Sequence, residues 1–137
     1  MKSNFKVNNE PASITEINHL LNSVGPLPGS YLLFLQETNG AEFGITDSGG
    51  DCLLLWSVQE IIEGNNDYCI QEHLPQALAI GSDGGGDAIL LDRSINPSRP
   101  SEWPVVRVAF ASLDVEEFIV QAKNFTSWAE NKFKLLA

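Results

Sequence analysis

Basic side chains are scarce in this sequence relative to acidic ones. It carries 8 Lys and Arg residues against 18 Asp and Glu, which gives a net charge of −10 over 137 residues. Nucleic acids and anionic membrane surfaces are both bound largely through Lys and Arg, so we expect neither as a partner. The acidic balance favours cationic partners, and an acidic surface that only keeps the protein in solution accounts for it equally well.

Metal ligands and catalytic groups are also scarce. The cysteines, Cys52 and Cys69, lie beside apolar residues, and we interpret both as small buried hydrophobic side chains. The histidines, His19 and His73, are isolated, and this spacing argues against a zinc site. No Ser-His-Asp or Cys-His set has supporting spacing. We therefore expect no catalytic residues, no cofactor and no enzymatic activity.

Long apolar runs are missing as well. Residues 1–9 hold no apolar stretch typical of a signal peptide, and no segment approaches the roughly 18 apolar residues of a membrane span. We therefore expect a cytoplasmic protein. Hydrophobic residues make up 43% of the chain, which is enough for one core. The predicted organisation is a single domain over residues 1–137, in which residues 1–12 form a loose N-terminal arm.

Capping signals predict where the helices begin. Ser13 and Ser57 are each followed three residues later by Glu, the spacing of a capping box, and apolar residues follow at helical intervals. The second of these helices is predicted to be short and interrupted at residues 64–67, with a further helical turn over 68–72. Pro28 predicts the first turn of another helix, which ends at Asn39 and Gly40.

Strands are predicted in the middle of the chain and helices at its two ends. The predicted strands are residues 43–45, 52–56, 77–80, 88–91 and 105–110, with a turn over 47–51. A helix capped by Ser112 or Asp114 and a last helix from about Phe125 complete the order. This pattern predicts an α+β fold with a mainly antiparallel central sheet of about five to six strands, flanked by N-terminal and C-terminal helices.

The glycine-rich segment 81–87 is the most conspicuous motif. A loop of this kind can hold phosphate through backbone N–H groups. Here Asp83 and Asp87 would repel an anion, no Lys or Arg follows, and a strand rather than a helix comes next. We favour a hairpin turn that uses the conformational freedom of glycine, ahead of a partner-contact loop and of a ligand site.

Seven residues are candidates for contact with a partner. Six are acidic residues at element ends and turns, which would form one acidic face if the hairpin tips gather on one side, and which are otherwise scattered solvated carboxylates. The seventh is a tryptophan in a polar loop, which either packs inside or contributes to binding. The seven are Glu37, Glu42, Asp47, Asp51, Asp83, Asp87 and Trp103. Trp128, on an apolar helical stripe, is predicted to lie in the core.

Several segments together resemble the SUKH superfamily. They are LPGSYLLFL at residues 27–35 with Asn39-Gly40 after it, Leu55-Trp56-Ser57 leading into Glu60, AIGSDGGGD at residues 79–87, and the starts at Ala111 and Phe125. Ala41 departs from the pattern, which often has a second glycine there. The residues that carry the likeness are Pro28, Tyr31, Phe34, Asn39, Gly40, Trp56, Gly81, Gly84, Gly85 and Gly86.

The resemblance implies a non-enzymatic α+β interaction domain. Bacterial members of the superfamily are encoded beside polymorphic or contact-dependent toxins and block them by direct binding, and fungal members are regulatory modules. We therefore expect an immunity protein that binds a cationic toxin domain encoded nearby. A regulatory adaptor is the alternative, and a small-molecule-binding or hydrolytic protein that uses the glycine-rich turn comes third.

Overall fold

One antiparallel sheet organises the chain. The computed structural model describes residues 5–45 and 51–137. Its strands follow one another across the sheet in chain order. They are β1 (Phe5–Asn8), β2 (Ala41–Ile45), β3 (Asp51–Leu55), β4 (Ala77–Ser82), β5 (Asp87–Asp92), β6 (Val105–Ala109) and β7 (Ile119–Ala122). The predicted α+β class is confirmed. The turn predicted over residues 47–51 lies, apart from Asp51, outside the described residues.

Five α-helices accompany the sheet in the described part of the chain. They are α1 (Ile14–Val24), α2 (Gly29–Glu37), α3 (Val58–Asp67), α4 (Ile70–His73) and α5 (Phe125–Glu130). Both predicted capping boxes are present, at Ser13 with Glu16 and at Ser57 with Glu60. Each box satisfies backbone N–H groups that the first turn of a helix leaves unpaired, which explains why the helix starts were readable from the sequence. None of these helices is both long and apolar enough to cross a membrane.

The two faces of the sheet bury separate cores. Leu78 of β4 and Ile89 of β5 face the larger core, which is filled by side chains of α1, α2, α3 and α5. Ala79 and Leu90, one position further along each strand, face a smaller core closed by Ile70 of α4. Because alternate residues of a strand point to opposite faces, a central strand must be apolar throughout. This confirms the prediction for residues 88–91.

The two outermost strands were not predicted. Residues 5–8, which we assigned to a loose arm, pair with β2 as β1. The helix predicted from Ser112 or Asp114 is also wrong, because Asp114 caps only a 3-10 turn at Val115–Glu117 before β7 begins. Ile119 then pairs with Arg107, and Val120 with Val106. Pairing with β6 outweighs the weak helical pattern here, and β-branched residues favour the strand.

Helix α3 runs through the interruption predicted at residues 64–67. Its Asn65 is 6% exposed and bonds to the backbone of β4, donating to the Ala79 carbonyl at 2.8 Å and accepting from the Ala79 N–H at 2.9 Å. The Asn65 amide thus pairs with β4 as a neighbouring strand would. The chain then reverses at Cys69, whose φ is 54°, before α4. Such tertiary bonds override the local breaking tendency of Gly64-Asn65-Asn66.

Candidate protein interface

Asp83 and Asp87, at the tip of the β4–β5 hairpin, both form ion pairs with the side chain of Arg107. Arg107 of β6 donates from Nη2 to Asp83 and from Nε to Asp87, both at 2.9 Å. A third N–H group of Arg107 reaches the Leu136 carbonyl at 3.3 Å. The pairing follows from strand register, since Asp87 lies directly opposite Ala109 near the end of β6. Both carboxylates are therefore engaged within the protein, and Arg107 offsets one of their two negative charges.

The Asp83 carboxylate also holds the glycine-rich turn. Its Oδ1 accepts from the Gly85 N–H at 2.8 Å and from the Asp87 N–H at 3.1 Å. Partial burial raises the pKa of Asp83, but the bonds from Asp87 and Gly85 and the charge of Arg107 outweigh it, so the pKa lies below its ordinary value. The N–H groups that could cradle an anion already serve this carboxylate. The interpretation of segment 81–87 as a hairpin turn accords with these bonds.

Two of the four glycines in this segment are required by close packing. A Cβ on Gly81 would collide with the Leu54 carbonyl of β3, and Gly84 has φ +78° and faces Sγ of Cys52. Gly86 has open space around it, and a Cβ on Gly85 would meet only the Asp83 side chain. The exposed tip formed by Gly84, Gly85 and Gly86 therefore combines one strained position with two permissive ones.

The other predicted acidic residues do not join this pair. Glu37 is the last residue of α2. Glu42 lies on β2, opposite Leu54 of β3. Both glutamates are exposed. Asp47 lies outside the described residues, and Asp51 is described only as the first residue of β3, paired with Ile45. Among the described residues, only Asp83 and Asp87 of the predicted acidic face are brought together.

Trp103 is not a surface residue. Its side chain is 2% exposed, its Nε1 donates to the Asn96 carbonyl at 2.7 Å, and the Arg93 guanidinium lies 5.9 Å from its ring centroid. The polar residues around it form a 3-10 turn at Pro100–Glu102 that covers the indole. The expectation of partner contact by Trp103 is therefore wrong, and the packing alternative holds. Trp128, predicted to be core, is fully buried.

Three other aromatic residues form a stacked surface cluster, which we call the aromatic strip: Trp56, Tyr68 and Phe110. Tyr68 stacks on Phe110 with ring centroids 4.2 Å apart, and on Trp56 at 6.3 Å with nearly parallel planes. Tyr68 is 49% exposed, and the other two rings are partly exposed. Amphipathic aromatic side chains in such positions are the typical anchors of protein interfaces.

Three different elements position the aromatic strip. Trp56 follows β3, and its backbone N–H donates to the Ile80 carbonyl at 2.9 Å. Tyr68 caps the end of α3 through a bond to the Gly64 carbonyl at 3.0 Å. Phe110 follows β6, and its N–H donates to the Gly86 carbonyl at 2.8 Å. The glycine-rich tip therefore lies beside the strip, and a backbone hydrogen bond anchors each of the three residues that carry the rings.

Exposed carboxylates flank the turn that follows Tyr68. Asp67 and Glu72 flank Cys69, the residue after Tyr68, and both are exposed. A hydrogen bond and the charge of Glu72, followed by desolvation and the charge of Asp67, raise the pKa of the Cys69 thiol above its ordinary value. Cys69 is exposed and Cys52 half-buried, so the interpretation of both as buried side chains is wrong. The αL backbone of Cys69 turns its side chain away from the core.

Sequence reasoning missed Tyr68 and Phe110. Tyr68 follows Asn65-Asn66-Asp67, and a large aromatic residue in so polar a segment is a weak signal of exposure. Phe110 falls at the end of the strand predicted over residues 105–110, and it packs on the smaller core beside Val106 and Val108. Their stacking with Trp56 depends on strand order and on the turn at Cys69, and no local pattern encodes it.

A cavity of about 250 Å³ between α1, α3 and Arg93 is an alternative site. Two of its polar side chains are already engaged, since Arg93 donates to the Val24 carbonyl at 3.1 Å and Gln71 donates to the Ala77 carbonyl at 2.8 Å. Partial burial lowers the pKa of Arg93. These bonds indicate a structural role in joining α1 to the sheet rather than a ligand site.

Comparison with known proteins places the chain in a family. The model of the SMI1 / KNR4 family (SUKH-1) matches residues 11–131. A search of the curated proteins returns no significant match. The matched region begins before α1 and ends just after α5, so it includes all three rings of the aromatic strip and the glycine-rich turn.

Proposed function

Because this chain belongs to the SMI1 / KNR4 family (SUKH-1), we propose that it is a non-catalytic immunity protein that neutralises a cognate toxin domain by binding it directly. The toxin would be a cationic domain of a polymorphic or contact-dependent system, encoded nearby and met in the cytoplasm. Neutralisation then consists of covering the toxin's substrate-binding surface, and no bond is made or broken.

The exposed aromatic strip is the observation that carries this proposal. A monomeric protein usually buries Trp, Tyr and Phe, yet here three stacked rings remain partly exposed on rigid backbone. Because the rings are held in place before binding, little side-chain entropy is lost when a partner covers them. A preorganised aromatic surface of this kind supports protein binding better than it supports small-molecule catalysis.

The charge of the molecule supports a cationic partner. The net charge is −10, and the acidic excess remains after Arg107 has paired with Asp83 and Asp87. A field of this sign steers a positively charged domain toward the surface and raises the association rate. Nuclease domains carry basic surfaces to hold phosphates, so they are suitable targets.

Co-expression tests the proposal. The toxin domain encoded by the adjacent gene is induced in cells that carry this protein, with an empty vector and an inactive toxin variant as controls. We expect survival only when the protein is present, and a stable complex of the two purified proteins. Equal killing with and without the protein, at matched expression, would contradict the proposal. A neighbourhood without any toxin gene would instead favour a regulatory adaptor of the same fold.

A further inference from the structure

We infer that the aromatic strip is the contact surface and that it receives an arginine-bearing, positively charged segment of the partner protein. This inference rests on the proposed function, since it names the surface and the partner chemistry of the same binding activity. It is carried by the combination of stacked, exposed rings with the exposed carboxylates of Asp67, next to Tyr68, and of Glu72, in the helical turn that follows.

The rings provide the apolar part of the surface. Tyr68 is 49% exposed at the centre of the stack, with Phe110 at 4.2 Å and Trp56 at 6.3 Å. Beside it lies the exposed tip Gly84, Gly85 and Gly86, joined to the strip by the Phe110–Gly86 backbone bond. Small residues at this tip let a partner backbone approach closely, as a segment laid across the rings requires.

The carboxylates provide the charge complementarity. Asp67 and Glu72 are exposed and lie close enough to Cys69, next to Tyr68, to act together on its thiol. The three arginines of the chain are engaged elsewhere: Arg107 with Asp83, Arg99 with Glu102, and Arg93 with backbone carbonyls. Glu72 also bonds to the Cys69 thiol, but a neutral thiol does not offset its charge, so Asp67 and Glu72 can both contact a cation supplied by a partner.

Arginine fits this combination better than lysine. A guanidinium group is planar, so it can stack against an aromatic ring and also donate two parallel hydrogen bonds to a carboxylate. Lysine offers a compact, strongly hydrated point charge that does only part of this. The strip and the carboxylates of Asp67 and Glu72 together present both kinds of contact on one surface.

Two other surfaces are weaker candidates. Along the groove between α1 and α3, Glu16 and Glu60 accept bonds from the backbone of Ser13 and Ser57 and so cap their own helices. On β7, Val120 is 55% exposed, but the neighbouring Gln121 amide is bonded to Leu136 of the C-terminal segment. Neither of these two surfaces presents stacked, exposed aromatic rings.

A titration followed by NMR tests the inference without any natural partner. The probe is a ten-residue peptide of alternating Arg and Gly, added to the isotopically labelled full chain, with matched Lys-Gly and Glu-Gly peptides as controls. We expect saturable shifts confined to the Trp56 indole and the amides of residues 66–72, 84–86 and 110. The Lys peptide should bind several-fold more weakly, and the Glu peptide should cause no shifts. Shifts spread over all acidic residues, or centred on α1 and α3 or on β7, would overturn the inference.

Two variants extend the test to the toxin domain. Tyr68→Ser removes the central ring, which is 49% exposed, and Leu33→Ser removes an apolar side chain on α2 that is 63% exposed. We expect Tyr68→Ser to weaken binding of the toxin domain at least about tenfold, and Leu33→Ser to leave it unchanged. Glu72→Gln should weaken it several-fold, against Glu130→Gln as the control. Thermal unfolding of each variant checks that the fold is retained.

The outcomes separate the two proposals. If the wild-type chain does not bind the toxin domain but the Arg peptide localises to the strip, the proposed function fails and the inference stands. If the toxin domain binds and Tyr68→Ser binds as tightly as the wild type, the inference fails and the proposed function stands.

Discussion

At the scale of single residues, Asp83 ties the glycine-rich turn to β6. One oxygen binds two backbone N–H groups of the turn, and the other binds Arg107. Its side chain is 14% exposed, so these bonds are partly shielded from water. The residue was singled out in the sequence as a partner contact, and its geometry instead indicates a structural role in the turn.

Replacing Asp83 should make the free energy of unfolding less dependent on pH in the acidic range. Asp83→Asn should lower the free energy of unfolding by about 2 kcal/mol at pH 7, because Arg107 and the turn lose a charged acceptor. The pKa of Asp83 is lowered in the folded state, so its contribution is present above the ordinary Asp value near 4 and is lost as pH falls through the folded value.

Urea unfolding from pH 7 down to pH 3 checks this prediction. The difference between the wild type and Asp83→Asn should be full above about pH 5 and shrink below about pH 4. Glu130→Gln, which changes an exposed carboxylate on α5, should alter the free energy of unfolding by less than about 0.5 kcal/mol at either pH. A difference for Asp83→Asn that is the same at pH 3 and pH 7 would contradict the argument.

The tryptophans show how far single residues could be read. Trp128 was placed in the core correctly because it lies on a helical apolar stripe, which is a local signal. Trp103 was open to two interpretations because its neighbours, Glu102 and Pro104, are typical of exposed loops. Its burial depends on Asn96 and Arg93, seven and ten residues away in sequence, and only the folded loop brings them together.

At the scale of elements, the junction between β3 and α3 depends on close packing of Gly64 against the indole ring of Trp56. A Cβ on Gly64 would lie 2.6 Å from the Trp56 ring. Asn39 completes this junction, since its Oδ1 accepts from the Val58 N–H at 2.8 Å at the start of α3. We interpreted the Asn39-Gly40 pair as a helix end, but α2 ends at Glu37 with Thr38 as its C-cap residue, and Asn39 instead binds the start of α3.

Gly64→Ala should destabilise the protein although alanine favours helices. The added methyl group would push Trp56 outward and disturb the aromatic strip, and overpacking of this kind costs about 1–3 kcal/mol. The gain in helix propensity offsets about 1 kcal/mol of that. Gly29→Ala in α2 is the matched control, because a methyl group added there would have no other atom within 4 Å. It should be neutral or slightly stabilising.

Chemical unfolding of both variants measures the difference. We expect Gly64→Ala to be less stable than the wild type by about 1 kcal/mol, and Gly29→Ala to be at least as stable as the wild type. Equal stabilisation by the two substitutions would show that Trp56 does not press on α3.

Helix starts were easier to predict than helix lengths. Capping boxes are local, since the side chain and the backbone it binds are three residues apart, and both were found. The length of α3 depends on Asn65 binding β4, and the fate of residues 115–122 depends on β6 offering an unpaired edge. Asn65 and Ala79 are 14 residues apart, and the partner of β7 is a separate strand, so no local pattern reveals either contact.

At the scale of the whole molecule, the charge of −10 governs the approach of a partner more than the strength of the final contact. Long-range steering is screened by salt, with a Debye length of about 10 Å at 0.1 M. The contacts of the aromatic strip are short-range and are screened much less. Association and dissociation should therefore respond differently to ionic strength.

Binding kinetics with the toxin domain should show this division. Between 50 and 500 mM NaCl, the association rate constant should fall by about tenfold, while the dissociation rate constant changes less than about threefold. Surface plasmon resonance or stopped-flow fluorescence measures both. An association rate that is independent of salt would mean that the acidic excess only serves solubility.

The sequence by itself determined the features that depend on neighbouring residues or on totals: the α+β class, the helix caps, the β4–β5 hairpin and the acidic charge. Tertiary structure decided which side chains share a surface. Strand order placed Arg107 against Asp83 and Asp87, and the turn at Cys69 set Tyr68 between Trp56 and Phe110. The physical reason is that these contacts join residues from 12 to 42 positions apart, and such contacts form only when the sheet and helices pack.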